Sequence, residues 1–140
     1  MSNEANPVSI LPESQCWDLL SDARLGRLIT SVDDEPEVFP VNFVVQDRTL
    51  LFRTAEGTKL VSTAINHHVT FEVDDHDEDQ GWSVIVKGYA RILHAAEEIV
   101  VAQQAGLRPW TTTEKQHFVR IRPLRVTGRQ FTFDRTSASA

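Results

Sequence analysis

The sequence predicts a mainly β protein with peripheral helices, built as a small six-stranded antiparallel barrel. Three observations carry this. Six stretches rich in β-branched and aromatic residues fall at 27–32, 38–46, 49–53, 69–73, 82–93 and, in two pieces, 117–121 with 125–133. Short polar turns join neighbours, as Asp47-Arg48 does, which suits antiparallel hairpins. The order strand, hairpin, strand, helix, strand lacks the alternating βαβ series of a doubly wound sheet.

Each element has its own signal. Pro12 and Glu13 open a helix to about residue 23, with Cys16, Trp17, Leu19 and Leu20 on its apolar side. Gly26 breaks that pattern and the strand 27–32 follows, ended by the turn Asp33-Asp34-Glu35-Pro36. The strands 38–46 and 49–53 form a hairpin about Asp47-Arg48. A short helix over 58–65 precedes the strand 69–73. Residues 74–80 form an acidic loop closed by Gly81, and 82–93 is a long strand. The helix 95–105 is stopped by Gly106 and Pro109. The last strand material bends at Pro123, or lies at an edge there. Residues 1–12 read as a polar lead, 13–135 as one domain and 136–140 as a frayed tail.

Composition narrows the function. Twenty acidic against fourteen basic residues leave a net charge of −6, which argues against a general nucleic-acid binder with a basic footprint. No apolar run approaches the roughly 20 residues of a membrane span, and residues 1–6 lack a signal-peptide pattern. The single cysteine, Cys16, allows no internal disulfide and fits a cytoplasmic protein. Beside Trp17 in a helix, with no base nearby in sequence, it reads as a small buried apolar residue.

The chemistry concentrates in Phe52-Arg53-Thr54-Ala55-Glu56-Gly57-Thr58-Lys59-Leu60. Here a strand ends in a polar turn and a helix begins, where free backbone N–H groups and the helix dipole favour an anion. A lysine in the first turn opposes that dipole, and a bound anion removes the conflict. The pattern suits a phosphate-bearing ligand. GxGxxG and Walker A signatures are absent, so the phosphate is not held in those ways.

Read together, Gly26-Arg27-Leu28, Pro40-Val41-Asn42-Phe43, Phe52-Arg53-Thr54, Gly57-Thr58-Lys59-Leu60, Gly81-Trp82-Ser83-Val84 and Gly88-Tyr89-Ala90 resemble the pyridoxamine 5′-phosphate oxidase-like proteins, nearest their nitroimidazole-reductase-like branch. The likeness runs from about residue 13 to 129. It implies an FMN-binding split β-barrel that forms a homodimer, with the cofactor at the subunit interface and a small-molecule substrate. Lys59 and Thr58, with Thr54 or Arg53 behind them, would hold the FMN phosphate. Pro40, Val41 and Asn42 would line the isoalloxazine ring through backbone groups. Trp82 and Ser83 would approach the flavin of the other subunit, and Arg129 is a looser candidate near the substrate. The implied activity is oxidoreduction of a small organic molecule, with a nicotinamide as electron donor.

The Arg-x-His-type phosphate clamp of full pyridoxamine phosphate oxidases has no counterpart in Phe133-Asp134-Arg135-Thr136-Ser137, which argues against pyridoxamine phosphate as substrate. A deazaflavin coenzyme, used by a branch of the same superfamily, stays open as the cofactor. So does a non-enzymatic protein holding a flavin or tetrapyrrole-like ligand. Arg53 has an alternative partner in Glu56, and Trp110 is a further stacking candidate. His67 and His68 are adjacent, so on a strand they point to opposite faces and cannot chelate one ion. The run Asp74-Asp75-His76-Asp77-Glu78-Asp79 lacks EF-hand spacing and reads as a solvated loop.

Overall fold

The computed structural model describes residues 7–55, 59–64, 67–107 and 116–134. Its elements are β1 (Val8–Leu11), α1 (Glu13–Asp22), β2 (Leu25–Val32), β3 (Glu35–Gln46), β4 (Thr49–Ala55), α2 (Lys59–Ala64), β5 (His67–His76), β6 (Gln80–Ile92), α3 (Ala96–Gln103) and β7 (Gln116–Thr132). Six strands close a ring in the order β2-β3-β4-β7-β6-β5, because β2 pairs β5 and β7 pairs β6. All pairings are antiparallel. The predicted six-stranded barrel is this ring. A seventh strand, β1, lies within the stretch read as a polar lead. It joins the C-terminal half of β7, beyond the half that pairs β4.

The tight turns explain the register. Asp33, Asp34, Asp47 and Arg48 all take positive φ, between 51° and 63°. Two such residues in succession make the turn whose twist matches antiparallel strands. The first turn therefore needs only Asp33-Asp34, and Glu35 and Pro36 already belong to β3.

Alternation fills the interior. Leu28, Val41, Phe43, Leu50, Phe52, Phe71, Val84, Val86, Val119 and Ile121 point into the barrel and form one cluster with Cys16, Trp17 and Leu20 of α1. The helix reading of Cys16 holds: its thiol is buried, and that burial raises its pKa. β4 is buried on both faces, since Leu51 packs outward with Phe118 beneath Ala102 of α3.

Three further sequence expectations change. Gly26 does not interrupt the chain but lies buried within β2, where a Cβ would collide with the Phe71 ring. The acidic loop shrinks, because Asp74, Asp75 and His76 extend β5 and Gln80-Gly81 begin β6. Asp77 Oδ1 ties the remaining turn by accepting the N–H groups of Asp79 and Gln80 at 2.7 and 2.8 Å. Pro123 does not divide the last strand: it pairs with Gly88 inside a continuous β7, next to a register shift between Lys87 and Gly88.

Candidate functional site

The barrel is split. β3 and β4 pair only from Phe43↔Phe52 to Gln46↔Thr49. Beyond that, residues 35–42 of β3 stay on β2 and residues 53–55 of β4 stay on β7. The lips of this opening are Pro40-Val41-Asn42 and Arg53-Thr54-Ala55, which are the stretches singled out in the sequence. Among the described residues neither lip has a strand partner across the opening. α2 begins at Lys59, and three intervening residues keep it within about 14 Å of Ala55.

Residue by residue, the placements differ. Pro40 is exposed and Asn42 half-buried, both on the outer face, while Val41 is buried inside the barrel and pairs with Gly26 of β2. Arg53 is half-buried, its guanidinium carbon 4.4 Å over the Phe118 ring. It has no carboxylate partner among the described residues, and Glu56 lies outside them. Thr54 is buried. Thr58 and Trp110 lie outside the described residues. α2 is only six residues long, so its dipole adds little and an anion site there rests on Lys59 and the turn.

Trp82 and Ser83 stand at the start of β6. Trp82 and Pro40 line one cavity of about 620 Å³, within the usual size of a small-molecule pocket. Asn42 lines a separate cavity of about 400 Å³ with Arg24 and Leu107. Cross-strand pairing sets Ser83 beside Asp74 on one side and Arg129 on the other, with Arg129 exposed.

A cluster that sequence reasoning missed binds these parts together. Arg27 Nη1 donates to Glu72 Oε1 at 2.6 Å and to Asp74 Oδ2 at 2.7 Å, and Ser83 Oγ donates to Glu72 Oε2 at 3.3 Å. Arg27 is the cross-strand partner of Pro40, and Arg27, Pro40 and Asp74 line the same cavity. Burial, reinforced by the neighbouring Asp74, raises the Glu72 carboxyl above its ordinary value. The hydrogen bond from Glu72 holds Asp74 below its own, with Arg27 adding to the effect. Of the two, Glu72 is the less exposed. The signal available in the sequence was Glu72 and Asp74 on one face of a strand; that Arg27 faces them depends on β2 pairing β5.

Fold and split define an antiparallel split-barrel protein. A family model described as pyridoxamine 5′-phosphate oxidase matches residues 12–130. The FAD binding protein from Mycobacterium smegmatis is 57% identical, with a TM-score of 0.86 over 90% of this chain and 100% of that one. A putative pyridoxamine 5′-phosphate oxidase from Corynebacterium glutamicum is 43% identical, with a TM-score of 0.83 over 92% and 96% of the two chains. The Mycobacterium tuberculosis protein Rv3129 is 51% identical over 90 residues, 64% of this chain and 82% of that protein. This chain belongs to the pyridoxamine 5′-phosphate oxidase family.

Proposed function

We propose that this protein binds a flavin nucleotide along the split between β3 and β4 and acts as a small oxidoreductase. The observation that carries the reading is the split itself. A flavin presents a flat ring with alternating donors and acceptors along one edge, and the lip Pro40-Val41-Asn42 offers unladdered backbone groups beside it. The donor set fits: Asn42 supplies an N–H and a C=O group on the side facing the split, Pro40 only a C=O. Lys59 and Thr58 would bind the phosphate, with Arg53 and Thr54 behind them. Bound there, a flavin supplies hydride and electron transfer that no side chain provides. Trp82 narrows the cavity beside Pro40.

The 57% identical Mycobacterium smegmatis protein is named for FAD. That supports a flavin here and favours FAD where the sequence suggested FMN. We also propose a homodimer, since Leu25 and Val38 are 53% and 56% exposed on neighbouring strands of the outer face. In it Trp82 and Ser83 face the flavin of the other subunit. Cytoplasmic placement is part of the proposal and rests on Cys16 as a free thiol. No helix among the described residues is long and apolar enough to cross a membrane.

The deciding experiment is the absorption spectrum of the purified protein with mass spectrometry of what heat releases. Two isoalloxazine bands with an FAD or FMN mass support the proposal and choose between the two. A single-band spectrum with a deazaflavin mass keeps the fold and replaces the cofactor. A colourless protein that takes up no added flavin overturns it.

A further inference from the structure

Phe118 of β7 is the cross-strand partner of Arg53, and the Arg53 guanidinium carbon stands 4.4 Å from the centre of its ring. The ring itself is held from several sides. Phe118 is 7% exposed and packs with Leu51 of β4, Leu93 and Ala102 of α3. Its carbonyl oxygen accepts the N–H of Leu93 at 3.0 Å. Hydrogen bonds also tie α3 to the barrel: Gln46 Nε2 donates to the Val101 carbonyl at 2.9 Å, and Arg91 Nη2 to Glu98 Oε2 at 2.8 Å.

A ring attracts a cation without cancelling its charge, whereas a carboxylate partner does both. The arginines of the barrel differ on this point. Arg27 and Arg91 each bond a carboxylate, and Arg48, 5.9 Å above the Trp17 ring, lies 3.7 Å from Glu13. Arg53 has the closer ring and no carboxylate partner among the described residues. It is half-buried, so a full charge stands partly desolvated at the lip of the split. The N–H donors of a guanidinium lie in its own plane, so stacking covers a face and leaves the edge to ligand oxygen atoms. A free arginine side chain also loses much rotamer freedom when it binds; a ring that holds it removes that freedom beforehand.

We propose that Phe118 is a positioning residue for the phosphate end of the ligand: it fixes the Arg53 guanidinium, still fully charged, before the phosphate arrives. The packing of Phe118 with Ala102 then makes α3 part of the support of the site, although α3 holds none of the candidate ligand-binding residues. The inference rests on the reading of the split as a flavin site and adds to it the group that orders Arg53.

The test is a fluorescence titration of the whole protein with FMN and with riboflavin, which carries the same ring and no phosphate. Phe118→Leu is expected to weaken FMN binding roughly three- to tenfold and to leave riboflavin unchanged. Arg53→Lys keeps the charge but lacks the flat guanidinium, and is expected to lose the same preference without any change to the buried cluster. In an Arg53→Gln background, Phe118→Leu makes no further difference to FMN. Equal weakening of FMN and riboflavin by Phe118→Leu overturns the proposal, since a ring with a purely structural role acts that way. So does wild-type FMN affinity in either Phe118→Leu or Arg53→Lys. A wild-type protein that binds neither compound overturns the flavin reading and this inference together, whereas binding of both with an unchanged ratio in the variants overturns this inference alone.

Discussion

Arg27 holds two carboxylates on one guanidinium nitrogen, and they respond to pH in opposite directions. A carboxyl whose folded pKa exceeds its unfolded value binds its proton more tightly when folded. Glu72 therefore adds stability as pH falls from neutrality through its raised value, an effect complete below its ordinary 4.5. Asp74 is held down: its contribution is present above the ordinary 3.8 and is lost as pH drops through the lower folded value. Thermal melts between pH 7 and 3 are expected to show Glu72→Gln removing the first change and Asp74→Asn the second. Both effects are modest, because Asp74 is 41% exposed and water screens it. Lys59→Ala carries the phosphate assignment. Flavin affinity is expected to fall tenfold or more, about 1.4 kcal/mol, with an unchanged circular dichroism melt. Equal affinity in fluorescence titration would remove Lys59 from the site.

At the scale of elements, the two-residue hairpins set the pairing of β2 with β3 and of β3 with β4. Asp34, at φ 63°, sits where a residue with a Cβ is strained by roughly 1 kcal/mol. Asp34→Gly is expected to raise stability by up to about that much in calorimetry, leaving ligand binding alone. Gly88 presents the opposite case. A Cβ there would strike the Arg122 carbonyl and the Ile121 side chain, so Gly88→Ala is expected to destabilise by about 1–3 kcal/mol in chemical denaturation. Both hairpins and all three helices were legible from local signals. β1 was not, because Val8–Leu11 is short and three of its four residues are exposed; its pairing with β7 is what makes it a strand. The acidic run misled for a related reason. Asp74, Asp75 and His76 are exposed polar residues, and their strand geometry comes from the neighbouring β6.

For the whole molecule, the proposed dimer makes a definite prediction. Light scattering is expected to give twice the chain mass, and Leu25→Asp, which charges the outer face without touching the core, shifts it toward the monomer. A wild-type monomer that retains its flavin would mean each barrel completes its own site. The candidate residues were legible because they cluster in short runs: Pro40-Val41-Asn42 on one strand, Arg53-Thr54 through Lys59 on the next turn. The sequence by itself determined the class of fold, the six ring strands, the buried helix face at Cys16, Trp17 and Leu20, and the short helix that begins at Lys59. These follow from alternation, helical spacing and turn chemistry, which act over a few residues. Only the tertiary structure decided that β3 and β4 part after Phe43↔Phe52 and that Arg27 meets Glu72 and Asp74. Each of these depends on which distant strands pair and where their ladders end, and closure of the ring sets both.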